Sequence, residues 1–103
     1  MTYLDGVAAD IRNAVPPDAL PNEDTSILFL MYAVLLLAKG EMVTAEDVHN
    51  AWVAWMEGKG EEHESMVAFD ELPLSTREED SSFVVAIRRV AHERGIEGAP
   101  QSS

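Results

Sequence analysis

The chain has 103 residues, no cysteine and a formal charge of −12, from 7 basic and 19 acidic side chains. This length suits a single domain with one hydrophobic core, and without cysteine neither a disulfide nor a thiolate site can form. The negative charge repels phosphate backbones and anionic lipids, so it argues against nucleic-acid and membrane binding. The chain begins without a signal-peptide pattern, and its apolar run 27–38 is too short to cross a bilayer. We therefore expect a cytoplasmic protein.

The first predicted helix begins near Leu4 and ends at the pair Pro16-Pro17, because a proline ring cannot continue the helical hydrogen-bond ladder. Its apolar residues recur at steps of three and four, which is typical of a helix with one buried face. They are Leu4, Val7, Ala8, Ile11, Ala14 and Val15.

The second predicted helix runs from about Asp24 to Lys39 and stops at Gly40. Its residues 27–38 are apolar on every face, which indicates either the central helix of a bundle or half of a dimer interface. A chain this small cannot easily hide so many large apolar side chains. A homodimer formed through residues 27–38 is therefore one of two open readings.

The third predicted helix begins at Thr44, which stands three residues before Asp47 in a variant of the capping box. It carries Trp52 on its apolar stripe and ends near Gly58 or Gly60. The following residues up to 68 show no periodicity, so they are predicted to form a loop.

A short helical turn over Phe69–Leu72 is predicted next, closed by Pro73. Ser75 and Glu78 then form a capping-box pattern, which predicts a last helix from about Thr76 to Arg94. No alternating strand pattern occurs anywhere in the chain. The sequence thus predicts an all-α fold: a small four-helix orthogonal bundle over residues 1–95, with a loop and helical turn between helices 3 and 4. A disordered tail is predicted over residues 96–103.

Two segments of the chain match the motifs of a known family in order and spacing. Residues 48–52 read Val-His-Asn-Ala-Trp, and residues 63–72 read His-Glu-Ser-Met-Val-Ala-Phe-Asp-Glu-Leu, with Gly60 between them and Asp80 further on. Over residues 44–90 the chain resembles the ryanodine-receptor-type (RyR) domain. It also looks like short proteins of actinobacteria and their phages.

The resemblance implies a non-enzymatic module. RyR domains bind purines and adenine nucleotides in a cleft between helices, where the motif tryptophan stacks on the ring, and Trp52 holds that position here. Bacterial relatives are thought to sense nucleotide-derived signals. The chain departs from the family after Gly60, where a Trp-x-Tyr-Gly segment is missing. The corresponding wall of the pocket is therefore either lost or rebuilt with Trp55 or Tyr32.

The residues themselves leave two roles open at most candidate positions. Trp52 either fills the core or stacks on a flat ligand. His49 either bonds to a ligand or ties its helix to the loop 61–68, and His63 is expected to hold that loop against Asp70 or a backbone carbonyl. A zinc site built on the two histidines is disfavoured, because cysteines and an i, i+4 histidine pair are absent.

The helical turn and the last helix supply the remaining candidates. Phe69 is expected to bury while Asp70 and Glu71 accept hydrogen bonds from backbone amides. Arg88 and Arg89 either complement the negative end of their helix or clamp a phosphate or carboxylate group of a ligand.

The function predicted from these features is a non-enzymatic module that binds a purine or nucleotide-derived molecule, without cofactor or metal. The alternative is an acidic, dimeric helical module that docks on a basic partner protein. A hydrolase that uses the histidines and Asp70 is disfavoured, because no nucleophile or phosphate-binding loop accompanies them. The predicted ligand-binding residues are His49, Trp52, His63, Phe69, Asp70, Arg88 and Arg89.

Overall fold

The computed structural model describes residues 2–20 and 23–96, which form five α-helices and three 3-10 turns, with no strand among them. Four of the helices have 12 to 14 residues each, and α4 has 6. The predicted all-α fold of four helices is therefore confirmed, as is the helical turn, a 3-10 turn at Phe69–Glu71. The helices are α1 Tyr3–Ala14, α2 Ser26–Lys39, α3 Ala45–Gly58, α4 Leu74–Glu79 and α5 Ser81–Glu93.

Two helices begin at capping boxes made by residues three apart. At α3 the Thr44 hydroxyl accepts a hydrogen bond from the Asp47 amide at 3.2 Å, and the Thr44 amide donates to the Asp47 carboxylate at 2.9 Å. The same reciprocal pair joins Thr2 and Asp5 at α1. Each box satisfies amides that the first helical turn leaves without partners.

Helix α2 packs against α1, α3 and α5. Two aromatic rings of α2 and one of α5 form a cluster in the core. Phe29, Tyr32 and Phe83 lie with ring centroids 5.4 to 6.3 Å apart. The opposite face of α2 is open, with Ile27 and Val34 exposed by 61% and 54%. In the described part of the chain, no helix is both long enough and apolar enough to cross a membrane.

The prediction of one last helix from Thr76 was wrong in its start and in its continuity. Helix α4 begins at Leu74, because the Pro73 carbonyl already accepts the Thr76 and Arg77 amides, and no Ser75–Glu78 capping box forms. A break at Asp80 then separates α4 from α5, and the amide of Asp80 donates to the carbonyl three residues back instead of four. The Ser81 hydroxyl bonds the Glu78 carbonyl at 2.7 Å, a local contact that competes with the helical ladder.

Ile96, the first residue of the predicted tail, is the last described residue and is held by two contacts. Its amide donates to the Ala91 carbonyl at 2.8 Å, and its side chain packs against the core. The rest of the predicted tail, residues 97–103, lies outside the described residues.

Candidate ligand-binding cleft

A cavity of about 560 Å³ opens between α3, the junction of α4 with α5, and the 3-10 turn that follows α1. Small-molecule sites in proteins commonly measure about 300 to 1,000 Å³. The break at Asp80 forms one wall of this cavity, and Trp52 forms part of another. The cavity is therefore large enough for a ligand of one or two rings with a substituent.

Trp52 is half-buried, and its ring lies between two histidines at the edge of the cavity. The His49 ring stacks at 5.9 Å with an interplanar angle of 29°, and the His63 ring meets it edge-on at 5.4 Å. The indole is thus neither sealed in the aliphatic core nor fully in solvent. Its position leaves it able to contact a molecule in the cavity.

Tyr32 and Phe83 supply further aromatic surface to the cavity, with their ring centroids 5.7 Å apart. Trp55 lies elsewhere: it is buried, and the Lys59 ammonium sits 3.9 Å from its ring centroid. Of the two residues considered for rebuilding the wall, Tyr32 therefore lines the cavity and Trp55 does not.

His49 is only 3% exposed and joins α3 to the following loop. Its Nε2–H donates to the Val67 carbonyl at 2.6 Å, which requires the proton to be on that ring nitrogen. This contact is the loop-tying role, one of the two predicted for His49. The same ring also borders the cavity.

His63 is exposed, and its Nδ1 accepts a hydrogen bond from the Ser65 amide at 3.0 Å. Among the described residues, the expected contact of His63 with Asp70 or a backbone carbonyl is not formed, and its Nδ1 instead closes a local turn with the amide two residues on. The result is a ring held at the mouth of the cavity against Trp52.

Phe69 packs against His49, with the two ring centroids 6.1 Å apart, and neither Phe69 nor Asp70 lines the cavity. Arg77 holds this turn: its guanidinium stacks 5.2 Å from the Phe69 ring centroid and donates to the Asp70 carbonyl at 2.7 Å. The carboxylates of Asp70 and Glu71 are exposed and cap no amide among the described residues, contrary to expectation. Arg77 instead stabilises the turn as a donor, by bonding the carbonyls of Asp70 and Leu72.

Arg88 and Arg89 also lie away from the cavity. The Nε–H of Arg88 donates to the carbonyl of buried Val43 at 2.7 Å, and Arg89 pairs with Glu93 at 3.4 Å. Among the described residues that line the cavity there is no arginine or lysine. The structure therefore brings together Trp52, His49 and His63 but leaves the predicted arginine clamp elsewhere.

The charged groups that do face the cavity are acidic: Asp18, Glu79 and Asp80. Burial raises the pKa of the Asp80 carboxyl to about 6, against the opposing effect of His49 and with a further rise from Glu79. Burial and the nearby Asp80 charge also raise the pKa of the Tyr32 hydroxyl, so that it stays protonated at neutral pH. Neither the Asp80 carboxylate nor the Tyr32 hydroxyl forms a hydrogen bond with any described residue.

Asp80 and Glu79 were not among the binding residues predicted from the sequence. A signal for Asp80 was present, because it lies three residues before Phe83 and therefore continues the buried stripe of Phe83, Ile87 and Val90. An acidic residue on a buried stripe calls for a partner or a cavity. Its exposure to the cavity, however, depends on the helix break, which the sequence pattern did not indicate.

Fold and cleft together define a small all-α domain with an aromatic, acidic cavity beside Trp52. No group of three or more potential metal-ligand side chains occurs within residues 2–20 and 23–96. The chain belongs to the family of the domain of unknown function DUF7701, whose sequence profile matches residues 2–92. No curated protein and no solved structure matches it.

Proposed function

We propose that this protein is a non-enzymatic module that binds a purine-like, flat heterocycle in the cleft beside Trp52. The observation that carries the proposal is the half-buried indole on the wall of a 560 Å³ cavity. Stacking of a base on an aromatic side chain contributes about 1–3 kcal/mol, which suits this arrangement. The resemblance of residues 44–90 to the RyR domain, whose members bind purines, supports the same ligand class.

The charges of the cleft favour the base or nucleoside part of a nucleotide-derived molecule. Asp18, Glu79 and Asp80 repel phosphate groups, and no cavity-lining cation among the described residues offsets them. A nucleoside or free base carries no such charge. The proposed ligand is thus a purine compound without phosphates. We propose that the protein binds it in the cytoplasm, where such molecules are made and consumed.

The two histidines at the cleft support a binding role over an acid/base role. One ring nitrogen of His49 is taken by the Val67 carbonyl, and one of His63 by the Ser65 amide. Both rings are positioned by backbone groups and stand beside Trp52, and among the described residues neither ring forms a hydrogen bond with a serine or threonine hydroxyl that it could activate. They hold the indole and the loop in place for a ligand.

A thermal-shift screen with purine bases, nucleosides, adenine nucleotides and cyclic dinucleotides tests this proposal. A ligand at about 100 times its dissociation constant adds about 2.7 kcal/mol to the free energy of unfolding, which raises the melting temperature of a domain of this size by about 10 °C. We expect nucleosides or bases to produce the shift and Trp52→Leu to abolish it, since leucine keeps an apolar side chain but has no flat ring. The proposal would be contradicted if no compound of the panel raised the melting temperature, or if the shift were equally large in Trp52→Leu.

The open face of α2 favours a second candidate, an acidic homodimer that docks on a basic partner. Ile27, Val34 and Leu37 are exposed by 61%, 54% and 39%, and no charged residue occurs between Ser26 and Ala38. In a chain of charge −12, this face is where two copies meet with the least repulsion. Sedimentation equilibrium should show a dimer that Val34→Glu converts to a monomer, whereas a monomeric wild type would remove this candidate.

A further inference from the structure

We propose that the cleft recognises the edge of a guanine-type ring, with Asp80 accepting two adjacent N–H groups and Tyr32 donating to the neighbouring carbonyl oxygen. This inference rests on the proposed function and narrows its ligand class. Guanine carries in one row an amino group, a ring N–H and a carbonyl oxygen. Adenine presents at the same edge an unprotonated ring nitrogen and an amino group, which is the wrong pattern for a carboxylate.

Asp80 supplies the acceptors. Its carboxylate is half-buried at the junction of α4 and α5, lines the cavity, and has no hydrogen-bond partner among the described residues. A carboxylate that is partly removed from water without a partner is costly, so a ligand that donates to both oxygens gains more than it would in solvent. Paired N–H groups bind a carboxylate through two parallel bonds of this kind.

The second observation that supports the inference is the buried hydroxyl of Tyr32, which supplies the donor. Its side chain is only 2% exposed, lines the same cavity and has no hydrogen-bond partner among the described residues. Burial, and after it the Asp80 charge, raises the pKa of the Tyr32 hydroxyl further above neutral pH, so it is protonated and can donate. A buried phenol usually has a hydrogen-bond partner, and a ligand in the cavity that Tyr32 lines can supply one.

The neighbouring groups set the charge of the ligand and the pH dependence of its binding. Asp80 faces His49 from α3, Tyr32 from α2 and Glu79 from α4, while Asp18 and His63 line the same cavity from their loops. Guanosine should therefore bind more tightly than guanosine phosphates. Below about pH 6 the Asp80 carboxyl takes up a proton and loses one acceptor position, so guanosine affinity should fall.

Isothermal titration calorimetry of the full chain with guanosine, inosine and adenosine tests the inference. Inosine keeps the ring N–H and the carbonyl oxygen but lacks the amino group. We expect affinity to fall in the order guanosine, inosine, adenosine, by at least about tenfold over the series, since each lost bond leaves a cleft group without a partner. Asp80→Asn should lower guanosine affinity by about tenfold or more and remove the preference over inosine. Glu78→Gln is the matched control, because it removes a carboxylate from α4 outside the cavity.

The outcomes separate this inference from the proposed function. Equal binding of all three nucleosides, or a guanosine preference that survives in Asp80→Asn, contradicts recognition of the guanine edge by Asp80. Either result is still compatible with a cleft that binds purines. Absence of binding by every nucleoside and by the free bases guanine and adenine overturns both the inference and the proposed function. Should Asp80→Asn fail to fold by circular dichroism, the wild type alone decides: the ratio of guanosine to inosine affinity should drop between pH 7.5 and pH 5, and a constant ratio overturns the role of Asp80.

Discussion

Replacement of Asp80 by asparagine should make the protein more stable at neutral pH, because it removes a half-buried charge and keeps the side chain's shape. Burial raises the pKa of this carboxyl from 3.8 to about 6 in the folded protein. At about 1.4 kcal/mol per pKa unit, this rise corresponds to about 3 kcal/mol. Because the carboxyl also faces the open cavity, solvent screening reduces the effect, and we expect a gain of about 1–2 kcal/mol.

The gain in stability of Asp80→Asn should depend on pH, and the raised pKa of Asp80 sets the direction of this dependence. The folded pKa lies above the unfolded one, so the folded state binds more protons between pH 3.8 and about pH 6. The contribution of Asp80 to stability is therefore present at acid pH and is lost as the pH rises through about 6. Asparagine does not titrate, so the gain in Asp80→Asn should be small near pH 4 and full by pH 8.

Urea unfolding followed by tryptophan fluorescence at pH 4, 6 and 8 measures this gain, with the wild type and Glu78→Gln alongside. The Glu78 side chain is exposed, and its replacement should change the free energy of unfolding by less than about 0.5 kcal/mol. A gain that is the same at every pH would refute the reasoning. So would an Asp80→Asn variant that is less stable at pH 8, because that result would mean that the folded protein stabilises the carboxylate.

Further substitutions test contacts that position the cleft or lie apart from it. His49→Ala removes the donor to the Val67 carbonyl, so stability should fall by about 1–3 kcal/mol and amide exchange in residues 61–68 should rise; unchanged exchange would refute the loop-tying role. Arg88→Ala should cost about 1–2 kcal/mol in urea unfolding, because the Val43 carbonyl loses its donor. Arg89→Ala should cost less than about 0.5 kcal/mol. Calorimetry should find purine affinity unchanged in both arginine variants. A lower affinity in either variant would support the predicted role of that arginine as a clamp on the ligand.

The parts of the fold that the sequence predicted well depend on neighbours in the chain. The box of Thr44 with Asp47 and the stop of α2 at Gly40, which has a positive φ of 53°, are local events that a few residues decide. The last helix shows the limit of such signals. Helix α4 begins at Leu74 behind Pro73 without the capping box at Ser75, and the break that follows is accompanied by the hydrogen bond from the Ser81 hydroxyl to the Glu78 carbonyl.

The parts of the site that the sequence did not predict depend on contacts between distant residues. Arg88 is 45 residues from the Val43 carbonyl that it bonds, so its position on α5 could not show that it points away from the cleft. His49 and the Val67 carbonyl are likewise 18 residues apart. The stripe of α3 placed Trp52 on the inner side of its helix. Only packing decides that the indole stays half-buried beside a cavity.

The two tryptophans allow the most direct test of the central claim, that a purine ring lies against Trp52. Trp52 lines the cavity, whereas Trp55 is buried outside it under Lys59, so its indole serves as an internal reference. In a titration with guanosine followed by nitrogen-15 NMR, with the signals assigned through Trp52→Phe and Trp55→Phe, we expect the Trp52 indole N–H to shift and saturate while that of Trp55 moves far less. A Trp52 signal that stays in place as guanosine and the other purines are added would contradict the account.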